Sequence, residues 1–307
     1  MTTWLVTHPA CGRHNPGEHH PENTNRMLSI MVALESKSFQ DLIREEAPQA
    51  TVEQLERVHD PEYIRNVLDQ IPKVGRHHLD GDTVVSPESG EAALRAAGAV
   101  CHAVDGVMTG QARNAFCLVR PPGHHAERDH AMGFCLFNNI SVGAAHAAAM
   151  HGLERIVIVD FDVHHGNGTE SFVSGRPGFF YLSTHQHPLF PGTGIPREPG
   201  PANIVNATLS DGDGSERFRE VFSEKIVSKV NLFRPQILMI SAGFDAHRSD
   251  PLATLQLEED DFVWATEQLM EAARKHCEGR IVSVLEGGYH HGALGRSTAA
   301  HIQALMT

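Results

Sequence analysis

The feature that most restricts how this chain can fold is a recurring unit. A short apolar run ends abruptly in a cluster of His, Asp and Gly. Ala115–Arg120 leads into PPGHH, Ile156–Val159 into DFDVHHGNG, and Phe179–Ser183 into THQHPLFPGTG. Ile237–Ser241 leads into AGFDAHRSDP and Ile281–Leu285 into EGGYHH. Runs that are apolar at nearly every position predict strands buried on both faces. Trp4–Thr7 reads as a further strand. Helical patterns fill the gaps. Asn23–Glu35 has Met27, Ile30, Met31 and Leu34 at helical spacing, and a second helix opens at Asp60-Pro61 and runs to about Leu68. Others are expected over Glu88–Met108, Ile140–Met150, Ser215–Leu232 and Glu259–His276. Strands alternating with helices predict a parallel α/β sheet covered on both faces. The Pro- and Gly-rich stretch Thr184–Gly200 is the longest expected loop, and a loop of that length is usually functional. With no repeat and no flexible linker, residues 1–307 read as a single domain.

Charge narrows the partners. Lys and Arg number 25 against 38 Asp and Glu, a net charge of −13. Such a chain has no broad electrostatic hold on nucleic acid or on an anionic membrane. No apolar run approaches the roughly 18 residues of a membrane span, and no leader pattern opens the chain. The 5 cysteines form no CxxC pair. Reduced thiols and a cytoplasmic location are expected.

Histidine is the unusual residue, with 22 in 307. Surface histidines would scatter. These gather after the apolar runs, which in an open α/β sheet places them at the carboxyl edge where ligands bind. In Asp160-Phe161-Asp162-Val163-His164, period-two alternation puts Asp160, Asp162 and His164 on one face and Phe161 and Val163 in packing. Asp245 ends another buried run. Asp162, His164 and Asp245 would make a carboxylate-rich Zn²⁺ site with positions open for water and substrate. His124 and His125 follow a rigid Pro pair and a Gly turn, and are the candidates for general base and acid, with Asp160 as one orienting partner. The bland alternative is two histidines capping a turn. Adjacent histidines could both be ligands, but consecutive residues on extended chain point apart and Asp162 and His164 already supply two ligands from alternate positions, so the base-and-acid reading is preferred. Tyr289 follows two glycines, and its phenol could donate to a developing oxyanion.

The segments RPPGHHAE, GFCLFNN, DFDVHHGNGT, STHQHPLFPGTG, SAGFDAHRSDPL and LEGGY stand here in order, with HPENTNR at 20–26 and LDGDT at 79–83. This set resembles the zinc-dependent histone deacetylase and acetylpolyamine amidohydrolase family, in particular its class II-like bacterial branch. The resemblance spans essentially the whole chain. It implies an arginase–deacetylase fold with a single eight-stranded, mostly parallel sheet and helices on both faces. It implies one catalytic Zn²⁺ on Asp162, His164 and Asp245. The tandem pair His124 and His125 would be oriented by Asp160 and Asn167 respectively, with Tyr289 polarising the substrate carbonyl. Asn167 is an amide where some relatives carry an aspartate, so His125 should be easier to keep neutral. Gly133, Phe134, Phe190 and Leu252 would line an acyl-lysine channel, with Asp82 at its rim. A structural K⁺ would draw on Asp160, Asp162, His164, Ser183 and Thr184, in part through carbonyls.

The implied reaction is hydrolysis of an acylated lysine or similar amine. Acetylpolyamine or another small amide is the alternative substrate, although Leu252 stands where polyamine-selective relatives often carry an acid. An acyl-lysine binding module of weak activity is a different class, and the intact set of site residues argues against it. A binuclear manganese hydrolase would need more bridging carboxylates. A chain this compact could also form a symmetric dimer.

Overall fold

The computed structural model describes residues 2–197 and 200–307. Its main sheet uses β1 (Thr3–Thr7), β2 (Ile43–Glu46), β5 (Asn114–Cys117), β6 (Ile156–Asp160), β7 (Phe179–Gln186), β8 (Ile204–Leu209), β9 (Ile237–Ala242) and β10 (Ile281–Leu285), while β3 (His77–His78) and β4 (Val84–Val85) form a small antiparallel hairpin. The sheet order is β2-β1-β5-β10-β9-β6-β7-β8. Every pairing in it is parallel, so the mostly parallel sheet expected from the sequence is parallel throughout.

Burial follows position in the sheet. The central strands β5, β10, β9 and β6 are buried at every residue. This is why their sequences carry apolar side chains on both faces. The edge strand β2, Ile-Arg-Glu-Glu, is mostly exposed, and β8 is mostly half-buried. Neither has an unbroken apolar run, and both escape the sequence pattern. Strand β7 continues to Gln186, so residues 184–186 of the expected loop are strand. Residues 198 and 199 of that loop lie outside the described residues.

The expected helices are present as Asn25–Ala33, Pro61–Asp69, Ser89–Met108, Asn139–His151 and Glu259–Cys277. The helix over 215–233 is continuous but contains a π-helical turn, Phe222–Val227. A long helix not expected from the sequence, His291–Leu305, follows the last strand, and His290 caps it by accepting from the Ala293 amide at 3.1 Å. That cap gives a structural reason for a histidine directly after Tyr289. Phe161, Phe244 and Phe262 pack together beneath the sheet edge, with ring centroids 5.2 to 6.1 Å apart. No helix among the described residues is long and apolar enough to cross a membrane.

The topology positions the site. Strands β5, β10, β9 and β6 are direct neighbours although far apart in sequence. Being parallel, they deliver the segments after Cys117, Leu285, Ala242 and Asp160 to one edge.

Candidate active site

Strand β6 ends at Asp160, and residues 161–164 leave it in a series of bends. The three polar side chains expected on one face of an extended strand therefore converge by another route. Asp160 Oδ1 accepts from the Asp162 amide at 3.1 Å, and Asp162 Oδ1 accepts from the His164 amide at 2.9 Å. Asp245 arrives after β9, and its Oδ1 accepts from the Val163 amide at 2.9 Å. His164 Nδ1 lies 3.1 Å from both Asp162 Oδ1 and Asp245 Oδ2. All three side chains are buried, with one ligand atom from each within 4.8 Å of the others. Burial and the charge of Asp162 push the Asp245 carboxyl above its ordinary range. Two crowded carboxylates and an imidazole in a low-dielectric site form a donor set that fits a divalent cation. Gly287 lets the neighbouring loop close over them. Its amide donates to Asp162 Oδ2 at 2.8 Å, and a Cβ there would fall 2.1 Å from Asp245 Oδ2.

His124 and His125 occupy a turn rather than extended chain, and their ring centroids are 4.0 Å apart. A turn is what Pro121-Pro122-Gly123 implies there. The partners of the two rings differ. His124 Nδ1 meets Asp160 Oδ2 at 3.0 Å, while His125 Nδ1 meets Asn167 Oδ1 at 2.8 Å. The Asn167 amide nitrogen is committed to Glu127 Oε1 at 2.7 Å and to the His125 carbonyl at 3.2 Å. Its oxygen must therefore face His125, and this assigns the His125 proton to Nδ1 and the lone pair to Nε2. Burial and the neighbouring His124 and His164 hold His125 well below its usual range. For His124, burial is outweighed by Asp162 and Asp160, which lift it to about 10.

Tyr289 packs edge-on to Phe134, with centroids 5.8 Å apart, and the Arg26 guanidinium lies 5.0 Å from its ring centre. The Phe190 ring is 5.1 Å from His125 and 6.2 Å from His164, edge-on to both. Gly133 passes between them at φ +55°, where a Cβ would meet the His125 ring at 2.5 Å and Phe190 at 3.0 Å. Phe134 is anchored by its amide, which donates to Thr83 Oγ1 at 3.2 Å, beside the half-buried Asp82. Leu252, also half-buried, donates its amide to Asp250 Oδ1 at 3.0 Å, and the other oxygen of Asp250 accepts from the Tyr289 amide at 2.7 Å. Asp160 Oδ2 accepts from the Tyr181 hydroxyl at 3.1 Å, and Ser183 Oγ bonds His185 Nδ1 at 2.8 Å. Thr184 Oγ1 is buried without a hydrogen-bond partner.

Several residues that support this geometry carry no role in the sequence reading. Glu286 accepts from the Gly123 amide at 2.7 Å, the His124 amide at 3.2 Å and Ser241 Oγ at 3.0 Å. It locks the histidine turn to the tyrosine loop, and burial pushes its carboxyl up to about 7 against the pull of His124. Arg26 donates to the Gly288 carbonyl at 2.7 Å and to the Glu286 carbonyl, and is itself paired with buried Glu22 at 2.9 Å. Asp250 completes the set. Glu22 and Arg26 lie in HPENTNR and Glu286 in LEGGY. Their only advance sign was a charged residue inside a recognisable motif. A wide surface groove of about 1350 Å³ lies elsewhere, along β8 beneath Arg197, Arg217, Lys225 and Lys229. Concavity alone would have pointed away from this chemistry.

Comparison with known proteins agrees with the architecture. Residues 20–305 match the histone deacetylase domain. The uncharacterized protein slr0245 of Synechocystis is 39% identical over 299 residues, covering 96% of each chain. A histone deacetylase-like amidohydrolase of Pseudomonas aeruginosa is 37% identical, covering 92% of this chain and 74% of its own. The crystal structure of the HDA15 HD domain superposes with a TM-score of 0.91 at 32% identity, covering 99% of this chain and 88% of that one. This is the arginase–deacetylase fold that the sequence motifs imply.

Proposed function

This chain belongs to the histone deacetylase domain family, and from that premise we propose that it is a zinc-dependent hydrolase removing acetyl or other acyl groups from lysine side chains. The observation that carries this reading is the buried Asp162–His164–Asp245 donor set beside the His124–His125 pair, with His124 Nε2 3.9 Å from Asp162 Oδ1 and the His125 ring 6.0 Å from the His164 ring. A Zn²⁺ held by those three residues would supply Lewis-acid polarisation of the amide carbonyl and lower the pKa of a bound water.

The remaining chemistry belongs to the side chains. His125 Nε2 carries the free lone pair and takes the proton of the attacking water. Its Nδ1–H stays on Asn167, so the ring keeps its orientation while it becomes charged. Asp160, bonded to His124, meets the positive charge developing on the pair of adjacent, tilted rings. The Tyr289 hydroxyl donates to the oxyanion formed as the water oxygen adds to the carbonyl carbon. The C–N bond then breaks, and the departing amine receives the proton from the histidine pair. Phe134 and Phe190 flank the approach and suit an extended aliphatic chain. Asp160, Asp162, His164, Ser183 and Thr184 would hold a structural K⁺, and the unpartnered Thr184 hydroxyl is the observation that favours it.

The direct test is turnover of a fluorogenic acetyl-lysine peptide against acetylputrescine by the zinc-loaded protein. Preference for the peptide is expected, and exclusive turnover of acetylputrescine would overturn the lysine reading. Leu252→Glu should move the ratio of kcat/KM values toward acetylputrescine, because a carboxylate in a partly desolvated mouth attracts the single ammonium left at the far end of that substrate. An unchanged ratio would remove Leu252 as a determinant of substrate. For the channel, Phe190→Ala should weaken a hydroxamate with a linear aliphatic linker. Equal affinity in wild type and variant would mean that Phe190 does not touch the linker.

A further inference from the structure

Two helices end close together on the side of the molecule formed by Ser89–Met108 and Asn139–His151. Asp105, in the last turn of the first, receives two histidines from the second on one carboxylate oxygen. His146 Nε2 is 2.9 Å from Asp105 Oδ1, and His151 Nε2 is 2.7 Å from the same atom. We infer that Asp105, His146 and His151 form a second divalent-metal site, separate from the catalytic donor set and independent of the proposed reaction.

Three observations carry this. The three ligand atoms lie within 4.8 Å of one another, so small rotations would let one ion replace the two N–H···O bonds. The two helix C-termini direct the negative ends of their dipoles toward this spot, which favours a cation there. The site is also reachable, since His151 is 20% exposed and Asp105 49%, while His146 is only 6% exposed and holds the inner position. Two imidazoles and one carboxylate, completed by water, suit a borderline transition ion such as Zn²⁺ better than Mg²⁺ or Ca²⁺.

The surroundings also supply a gate. Arg57 Nη1 lies 3.3 Å and Gln54 Nε2 3.4 Å from His146 Nδ1. Both are donors, and they hold the His146 proton on Nε2, facing Asp105. An ion on Nε2 moves that proton to Nδ1, so these donors must turn away as it binds. Arg57 is already paired with the exposed Glu53 at 3.0 Å, which offers it an alternative position.

The test is the number of Zn²⁺ ions per chain, measured by elemental analysis of protein equilibrated with a small excess of the free ion. Wild type should hold two. His151→Ala should hold one and keep wild-type deacetylase turnover, while Asp162→Ala should also hold one but lose turnover. Arg57→Gln should tighten the second ion by roughly tenfold, the scale on which groups behind a ligand tune metal affinity. A wild type that holds a single ion, with none left in Asp162→Ala, would overturn the second site. So would a His151→Ala protein that binds as many ions as wild type. Failure of the catalytic zinc reading would look different, with Asp162→Ala binding as many ions as wild type.

Discussion

Asp245→Ala should reduce catalytic-site zinc to background and abolish deacetylation, the largest effect expected of any single substitution here. Asp245 supplies one of the two carboxylates in the set, and its other oxygen holds the Val163 amide at 2.9 Å. Alanine removes both functions. The metal loses an anionic ligand, and a buried N–H loses its acceptor at a cost of about 1–3 kcal/mol. Asp245→Asn separates the two. Its carbonyl oxygen can keep the Val163 bond while the second position no longer carries charge. Asn should therefore restore stability without restoring zinc. Metal content, melting temperature and kcat/KM measured on both variants check this. Bound catalytic-site zinc with normal turnover in either would overturn the ligand assignment. The fold should persist, because the packing of β5, β10, β9 and β6 does not depend on this carboxylate.

Tyr289→Phe should leave zinc bound and inhibitor affinity nearly intact while kcat falls by roughly 10²–10³, or about 3–4 kcal/mol of transition-state stabilisation. Burial pushes the phenol well above its ordinary range against the opposing pull of Arg26, so it remains a protonated donor through neutral pH. Phenylalanine keeps the ring that packs against Phe134 and Arg26 and deletes only that donor. The loss should fall on kcat because the hydrogen bond strengthens as charge develops on the carbonyl oxygen. If Tyr289 serves only packing, the variant will turn over at nearly the wild-type rate. Metal content, hydroxamate affinity and kcat from one preparation distinguish the two.

The central strands were legible because a strand buried on both faces must be apolar at successive positions, as in Ile156–Val159 and Ile237–Ile240. Edge strands face no such demand, so Ile-Arg-Glu-Glu carried no trace of β2. The candidate ligands Asp162, His164 and Asp245 were legible for a related reason. Local chain direction and the end of a buried run fix where such residues emerge. The grouping of Asp160, Asp162 and His164 was anticipated from strand alternation, whereas the chain there bends and is held by side-chain-to-amide bonds. The turn that carries His124 and His125 was signalled by Pro121-Pro122-Gly123, whereas the 4.0 Å separation of their rings was decided by the fold.

By itself the sequence determined the strand and helix periodicity, the chemistry gathered at one sheet edge and the family motifs. These are properties of neighbouring residues, and burial writes them directly into composition. Tertiary structure alone decided which strands adjoin, and hence that the turn after β5 meets the loops after β6, β9 and β10. It also decided that Glu286 would hold the histidine turn, that Asp250 would join Leu252 to Tyr289, and that Arg26 would brace the tyrosine loop. Glu286 and Gly123 stand 163 residues apart and Arg26 and Gly288 stand 262 apart. A contact across such a distance leaves no local periodicity. A buried charge is tolerated only where the completed fold supplies its partners.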